Sequence, residues 1–530
     1  MSERKQFRAV KGTRDIVPPD SALWNWFERM ARETFESYNF AEIRLPIFEE
    51  TALFARSIGV ETDVVSKEMY TFEDHDLPEL DHMRAQLLMW TPVLRDLDDF
   101  SSYAGTVKRF VERVDECFAS GKMPKTSRNE SAAVGLASSL VLLTAMQNEL
   151  IENPESVSSG DYELTLGQAM VHLQAFSFGD VLSLRPEATA STMRAYIEHG
   201  MQTRPGNVKL YCMGPMFRRE RPQKGRYRQF YQINAEVLGQ SDAPGIDAEV
   251  IEMLLALLAR VGLAQTTLSV NSIGDKNCRP QYVELLREAL RGVKDSLGPD
   301  SQRRIETNPL RVLDSKVPDE QAIIAKLPRI SDHLCDACRE HFAQLKRELA
   351  LRNIKYEENW RLVRGLDYYT RTTFEVTAAG LGSQNAVCGG GRYDGLVELL
   401  GGPEGVKGIG FAIGSDRAIL SIQEGGNLPK LPGLAVFVAW MGEAAYPMAI
   451  EISRKLRQAG LSVELPAKEM KFGKALGLAD KLGARYALII GENEVASRTF
   501  ALKRLSDSEQ KKYTGAELLE YLESERRGSG

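Results

Sequence analysis

The sequence predicts a mixed α/β protein: an antiparallel sheet flanked by helices, a helical insertion within it, and a separate α/β domain at the C-terminal end. Three observations carry this expectation. Strand-like segments at 208–212 and 229–237 flank an arginine-rich loop, and further ones return at 372–377 and 408–413. Two short runs, 69–72 and 181–184, read as one hairpin although about a hundred residues separate them, where hairpin loops have about two to five. Beyond a linker of Gly425, Gly426, Asn427, Pro429 and Pro432, strand and helix periods alternate.

At 530 residues the chain has room for about three or four domains. Hydrophobic residues make up 43% and charged residues 26%, so the chain can bury real cores, and the disordered and low-complexity classes are excluded. The formal charge is -6, so no global positive field points to a nucleic-acid partner, and any such partner has to be gripped locally. Apolar runs such as 135–145 and 434–440 fall well short of the ~20 residues a membrane helix needs, so no membrane span is expected. The first ten residues lack the apolar core of a secretory signal, and six scattered cysteines suit a reducing compartment. A cytoplasmic location follows as the expectation.

Taken in order, residues 21–37 carry Trp24, Phe27, Ala31 and Phe35 at helical spacing after Pro18, Pro19 and Asp20. Residues 41–48 alternate Ile43, Leu45 and Ile47 with polar neighbours, and Pro46 among them points to an edge strand or a subunit boundary. The insertion, 77–178, shows helical periods at 83–97, 103–118, 131–151 and 164–176 and should form a small bundle. It holds about fourteen acidic against about eight basic residues, a poor surface for gripping RNA. The expected domains are therefore 1–76 with 179–425, carrying a small insertion of its own within about 280–355, then 77–178, then 433–530. Cys335 and Cys338 form a CxxC with His333 and His341 beside it. Because 334–345 reads as an amphipathic helix and a structural zinc needs four converging ligands, packed thiols are expected there and no metal.

The most informative segment runs from Gly214 to Glu236. It crowds Arg218, Arg219, Arg221, Lys224, Arg226 and Arg228 around a Pro and Gly turn between two strands. Any such run can be a solvated charged hairpin. Here Phe230, Gln232 and Glu236 share one face of the outgoing strand by their even spacing, which sets an aromatic plane, an amide and a carboxylate beside the arginines. That combination suits a base, a small polar molecule and a polyphosphate.

This segment resembles motif 2 of the class II aminoacyl-tRNA synthetases, in the form found in the histidyl-tRNA synthetase family. Other strings of that family follow in order: KGTRD at 11–15, LPIFE at 45–49 resembling motif 1, LRPEAT at 184–189, LVRGLDYY at 362–369, GGGRYD at 389–394, and GIGFAIGSDR at 408–417 resembling motif 3. The likeness covers everything but the insertion. It departs at Ala188, where the family commonly has Gly, and at Asp416, where it commonly has Glu.

The resemblance implies a class II synthetase sheet, a C-terminal anticodon-binding domain, a homodimer, and ligation of L-histidine to histidine tRNA at the expense of ATP with Mg2+. It implies that Arg218 and Arg364 hold the α-phosphate as catalytic groups. Glu220, Arg226, Phe230 and Arg417 complete the ATP site. Glu187, Thr189 and Gln232 bind the α-amino group, and Glu236 with Tyr369, Tyr368 beside them, reads the imidazole. Two other readings compete: a non-catalytic synthetase-like regulatory subunit of ATP phosphoribosyltransferase, and an ATP-dependent ligase without tRNA. The first typically lacks the RGLDYY chemistry and the C-terminal domain, both present here; the second is disfavoured by that domain and by the basic loop. The insertion is unexplained by the resemblance, and a partner of its own is left open.

Overall fold

The helix Asp20–Ser37 starts where the sequence predicts and buries Leu23, Trp24, Phe27, Ala31 and Phe35, the residues of its apolar stripe. In this computed structural model the described residues are 7–59, 62–74, 77–90, 97–123, 125–152, 159–378, 386–426, 428–429, 431 and 433–527. The chain divides into two compact units, Met1–Leu428 and Pro429–Gly530.

In the first unit the strands are β1 (Ala41–Glu42), β2 (Phe48–Glu50), β3 (Tyr70–Glu73), β4 (Val181–Leu184), β5 (Val208–Phe217), β6 (Gln229–Gly239), β7 (Thr266–Ser272), β8 (Glu357–Glu358), β9 (Thr370–Ala378), β10 (Ala386–Arg392) and β11 (Lys407–Gly414). Eight of them form one sheet in the order β1-β5-β6-β11-β10-β9-β7-β8. Its six inner strands pair antiparallel, and only the short edge strands β1 and β8 join in parallel. The expected strand over 41–48 is not one strand. It breaks around Pro46, which has no amide hydrogen to give a ladder, into β1 at the edge of this sheet and β2 in a second, three-stranded sheet ordered β2-β4-β3.

The split hairpin is present: β3 pairs antiparallel with β4, Tyr70 opposite Leu184 and Glu73 opposite Val181, and the Asp74 amide donates to the Asp180 carbonyl at 2.9 Å. From its tip rise helices Pro78–Trp90, Leu97–Ala119, Ser127–Glu152 and Ser159–Ala175. They share an apolar core of their own, including Leu80, Leu87, Tyr103, Val107, Phe110, Leu136, Leu143, Leu173 and Phe176. The stretch Ser127–Glu149 is long and apolar enough to cross a membrane by length and composition. The expectation of no span counted only 135–145 of this helix as apolar, and the residues on either side lengthen the stretch; it buries Ala132, Leu136 and Leu143 in the bundle core.

The glycine run 389–391, which by itself would signal a tight turn, lies inside the central strand β10. Packing overrides propensity there. A Cβ on Gly389 would strike the Arg364 guanidinium, and one on Gly391 would meet the Thr372 carbonyl oxygen and the Tyr369 ring.

The second unit carries β12 (Val436–Trp440), β13 (Val463–Glu464), β14 (Tyr486–Ile490), β15 (Thr499–Arg504) and β16 (Gln510–Thr514) in the order β13-β12-β14-β15-β16. The first three are parallel and linked by helices Ala445–Gln458 and Phe472–Lys481, the alternation predicted from the sequence; β15 and β16 add an antiparallel edge.

Candidate active site

Strands β6, β11 and β10 form the floor of a cavity of about 330 Å³ in the first unit. Side chains on alternate positions of β6 point into it, because successive residues of a strand face opposite ways: Phe230, Gln232 and Asn234 all line it. Opposite them β11 offers Gly410, Ala412 and Gly414, small residues that keep the space open. Of the sequence-predicted site residues, Glu187, Thr189, Arg218, Glu220, Arg226, Phe230, Gln232, Arg364, Tyr368, Tyr369 and Arg417 all line this one cavity. They come from four separate segments of the sequence.

Glu236 does not line it. Its carboxyl lies one layer deeper, accepting hydrogen bonds from the Thr189 hydroxyl at 2.7 Å and from the Tyr393 hydroxyl, and it occupies the space a Cβ on Gly410 would need. Burial pushes its pKa up to about 8, against the opposing pull of those two hydroxyls. The shared face was legible in the strand period. The depth was not, since it depends on Thr189 and Tyr393 arriving from distant elements.

Glu187 closes the first turn of helix Thr189–Glu198: its two oxygens accept from the amides of Thr189 at 2.7 Å and Ala190 at 2.8 Å. Burial still raises its pKa, with the amides opposing. Ala188, the first departure from the family string, turns its methyl to Cys212 and Met216 in a small core and does not line the cavity.

Four guanidiniums surround the same space. Arg218 donates to the Pro186 carbonyl at 2.9 Å and lies 5.4 Å from the Phe230 ring centre. Arg226 is ion-paired with Glu220. Arg417, in the first turn of helix Ser415–Glu424, donates to the carbonyls of Ala386 at 3.1 Å and Gly225 at 3.4 Å. Arg364 pairs with Glu375 at 2.8 Å. Burial, and then the repulsion of Arg226 and Arg218, lowers the pKa of Arg417; burial lowers that of Arg218. Burial also works against Arg364, yet Tyr369 and Glu375 outweigh it and its pKa stands raised. Like charges held together at a cost in a cavity make a receptor for a polyanion.

Sequence reasoning missed Glu375, Tyr393 and Asp416 as wall residues. Asp416 accepts from the Tyr231 amide at 2.9 Å and from Arg14 at 2.8 Å, which ties the N-terminal string to motif 3. Arg392 and Asp394 of the glycine-arginine string do not reach the cavity: Arg392 is fully buried in ion pairs with Asp247 and Asp394, a strut beneath it.

The description "Histidyl-tRNA synthetase" matches by family model over residues 148–417, and "Anticodon binding domain" over 435–525. Among curated relatives, the histidine–tRNA ligase of Solibacter usitatus is 44% identical across 98% of this chain and 99% of its own length. That of Koribacter versatilis is 44% identical across 97% of this chain and 96% of its own. Alignments of this length take in 77–178 as well, so the insertion, expected to stand outside the likeness, is shared with these relatives. The crystal structure of apo S. aureus histidyl-tRNA synthetase superposes with a TM-score of 0.66 at 29% identity, covering 98% of this chain and 100% of that one. With a cavity assembled from the ordered family strings and likeness at this level along nearly its whole length, the chain belongs to the histidyl-tRNA synthetase family.

Proposed function

We propose that this chain is a histidine–tRNA ligase. The histidine carboxylate attacks the α-phosphate of ATP, releasing pyrophosphate and forming an acyl-adenylate; the terminal ribose hydroxyl of histidine tRNA then attacks the carbonyl carbon and AMP leaves. The observation that carries this is the convergence of Arg218, Arg226, Arg364 and Arg417 with the buried Glu187 in one cavity, with Glu236 buried one layer beneath it. Phosphoryl transfer depends on positioning and charge stabilisation, and no protein nucleophile is required.

In this reading Arg218 and Arg364 are the catalytic groups at the α-phosphate, and Arg364 also faces the substrate carboxylate. Arg417 takes the γ-phosphate, Phe230 stacks on adenine, and Glu220 with Arg226 completes the ATP grip. Glu187, Thr189 and Gln232 receive the α-amino group. Gln232 suits this, since its buried Oε1 has no hydrogen-bond partner among the described residues. Tyr369, with Tyr368 4.7 Å away ring to ring, and Glu236 through the Thr189 and Tyr393 layer select the imidazole. Mg2+ accompanies ATP and spreads the phosphate charge; the wall carboxylates available to it, Glu220 and Glu375, are each already in an ion pair. The C-terminal unit reads the anticodon.

A homodimer in the cytoplasm belongs to the same reading. Ile47, Phe48, Phe72 and Val181 stand exposed on the three-stranded sheet, with Phe48 and Phe72 6.3 Å apart, an apolar edge suited to a second copy. The regulatory-subunit reading fits less well, because Arg364, Leu366, Tyr368 and Tyr369 of the RGLDYY string all line the cavity. The deciding experiment is ATP–pyrophosphate exchange with each amino acid in turn. Exchange with histidine alone is expected; exchange with another amino acid, or none, would overturn the proposal.

A further inference from the structure

Away from the cavity, Asp275, Cys278, Cys335 and Cys338 bring one carboxylate oxygen and three sulfurs within 4.8 Å of one another. The sequence expectation of packed thiols rested on two cysteines and two nearby histidines. Both histidines are engaged elsewhere: His341 Nε2 meets the Asp242 carbonyl at 3.0 Å, and the His333 ring lies against Tyr282. The two missing ligands come from far upstream instead.

The two pairs share a spacing, D-x-x-C and C-x-x-C, and a local design. Cys278 directly precedes helix Arg279–Arg291, and Cys335 directly precedes helix Asp336–Leu351, so two helix entrances meet at one point. Around zinc, with bonds of about 2.0–2.3 Å, tetrahedral ligand atoms stand roughly 3.5–3.8 Å apart. Asp275 Oδ1 lies 3.7 Å from Cys278 Sγ and 3.9 Å from Cys335 Sγ. Three thiolates and a carboxylate leave a net negative charge around a divalent ion. Arg371, 3.7 Å from Asp275 Oδ2, and Arg279 beside the cluster offset it.

We propose that Asp275, Cys278, Cys335 and Cys338 bind one zinc ion. Four protein ligands close the coordination sphere, so the ion is structural. It pins the loop after β7 against the start of β9, where Arg371 exchanges backbone hydrogen bonds with Ile273 and Gly274, and Arg279 donates to the Tyr369 carbonyl. The clamp thus supports the segment carrying Tyr368 and Tyr369 from behind.

The test uses the full chain, stripped with a chelator under reducing conditions and reconstituted with zinc sulfate. One zinc per chain by mass spectrometry of the metal is expected, with Cys335, the half-exposed member of the six cysteines, shielded from a thiol reagent when zinc is bound and reactive when it is stripped. Cys335→Ser, at the half-exposed position and so the gentlest change, should lose stoichiometric zinc, and Asp275→Asn should weaken binding at least tenfold. Cobalt in place of zinc should show sulfur-to-metal charge transfer and tetrahedral d–d bands; this spectrum, taken on the parent protein, decides the matter even if a variant fails to fold. Substoichiometric zinc in the parent, unchanged uptake by Cys335→Ser, or a disulfide among these cysteines in anaerobically purified protein would overturn the proposal.

Discussion

At the scale of the single residue, Arg364 and Glu236 are the two side chains on which the proposed chemistry turns. Arg364→Ala removes the guanidinium held between Glu375 and the Gly389 backbone. Loss of one preorganised charge of this kind costs roughly 10²- to 10³-fold in rate. Histidine-dependent pyrophosphate exchange should fall by that much while the circular dichroism spectrum is kept; exchange within threefold of the parent would take Arg364 out of the reaction. Glu236 titrates from 4.5 when unfolded to about 8 when folded, chiefly through burial. A raised pKa means the folded state holds its proton longer, so this contribution is full below pH 4.5, is lost as pH rises toward 8, and is flat beyond. Glu236→Gln carries no titrating group. Its melting temperature should therefore gain on the parent's between pH 4.5 and 8, measured by thermal scans at constant ionic strength. Residues of this kind were only half legible in the sequence. The strand period placed Phe230, Gln232 and Glu236 on one face, but it could not show that Thr189 and Tyr393 close over the last of them.

Elements obey packing where packing and propensity disagree. The run 389–391 is a strand because β9 and β11 flank it and leave no room for side chains, a condition invisible in the run itself. Pro46 acted as its chemistry dictates, dividing an alternating segment between two sheets. The metal-ligating pairs escaped sequence reasoning for a related reason: Asp275 and Cys278 share no motif with Cys335 and Cys338 until two helix entrances are superimposed in space. The three-stranded sheet supplies a prediction of its own. Phe48 is 48% exposed and Phe72 44%, on the two strands that flank β4 with their ring centres 6.3 Å apart. If this edge meets a second copy, Phe48→Asp places an unpaired charge in an apolar interface. Sedimentation should then show a monomer where the parent sediments as a dimer; a dimeric Phe48→Asp would place the interface elsewhere.

For the whole molecule, the antiparallel sheet and the separate C-terminal unit followed from the spacing of apolar residues, because each element keeps a hydrophobic face of the right period. The purpose of the helical bundle did not, since its core, including Phe110, Phe176 and Phe178, is complete within itself. Its acidic balance disfavours contact with an RNA backbone. Replacing residues 78–177 with an Asp-Gly turn should leave adenylate formation and tRNA charging within a fewfold of the parent, measured as kcat/KM for each; a large fall confined to charging would give the bundle a part in the RNA step. The closure at its base, where the Asp74 amide meets the Asp180 carbonyl, has a kinetic consequence. In the unfolded chain β3 and β4 are partners of high contact order, and each doubling of a loop adds about 0.6 kcal/mol to the entropy of closing it. A bundle that folds first brings its own ends together and hands the sheet a local pairing in place of a distant one. A bundle that folds early thereby offsets the closure cost its own length imposes on the hairpin: loosening its core with Phe110→Ala should slow the regain of sheet structure after dilution from denaturant, while the Asp-Gly variant, its loop now minimal, should refold fastest of all.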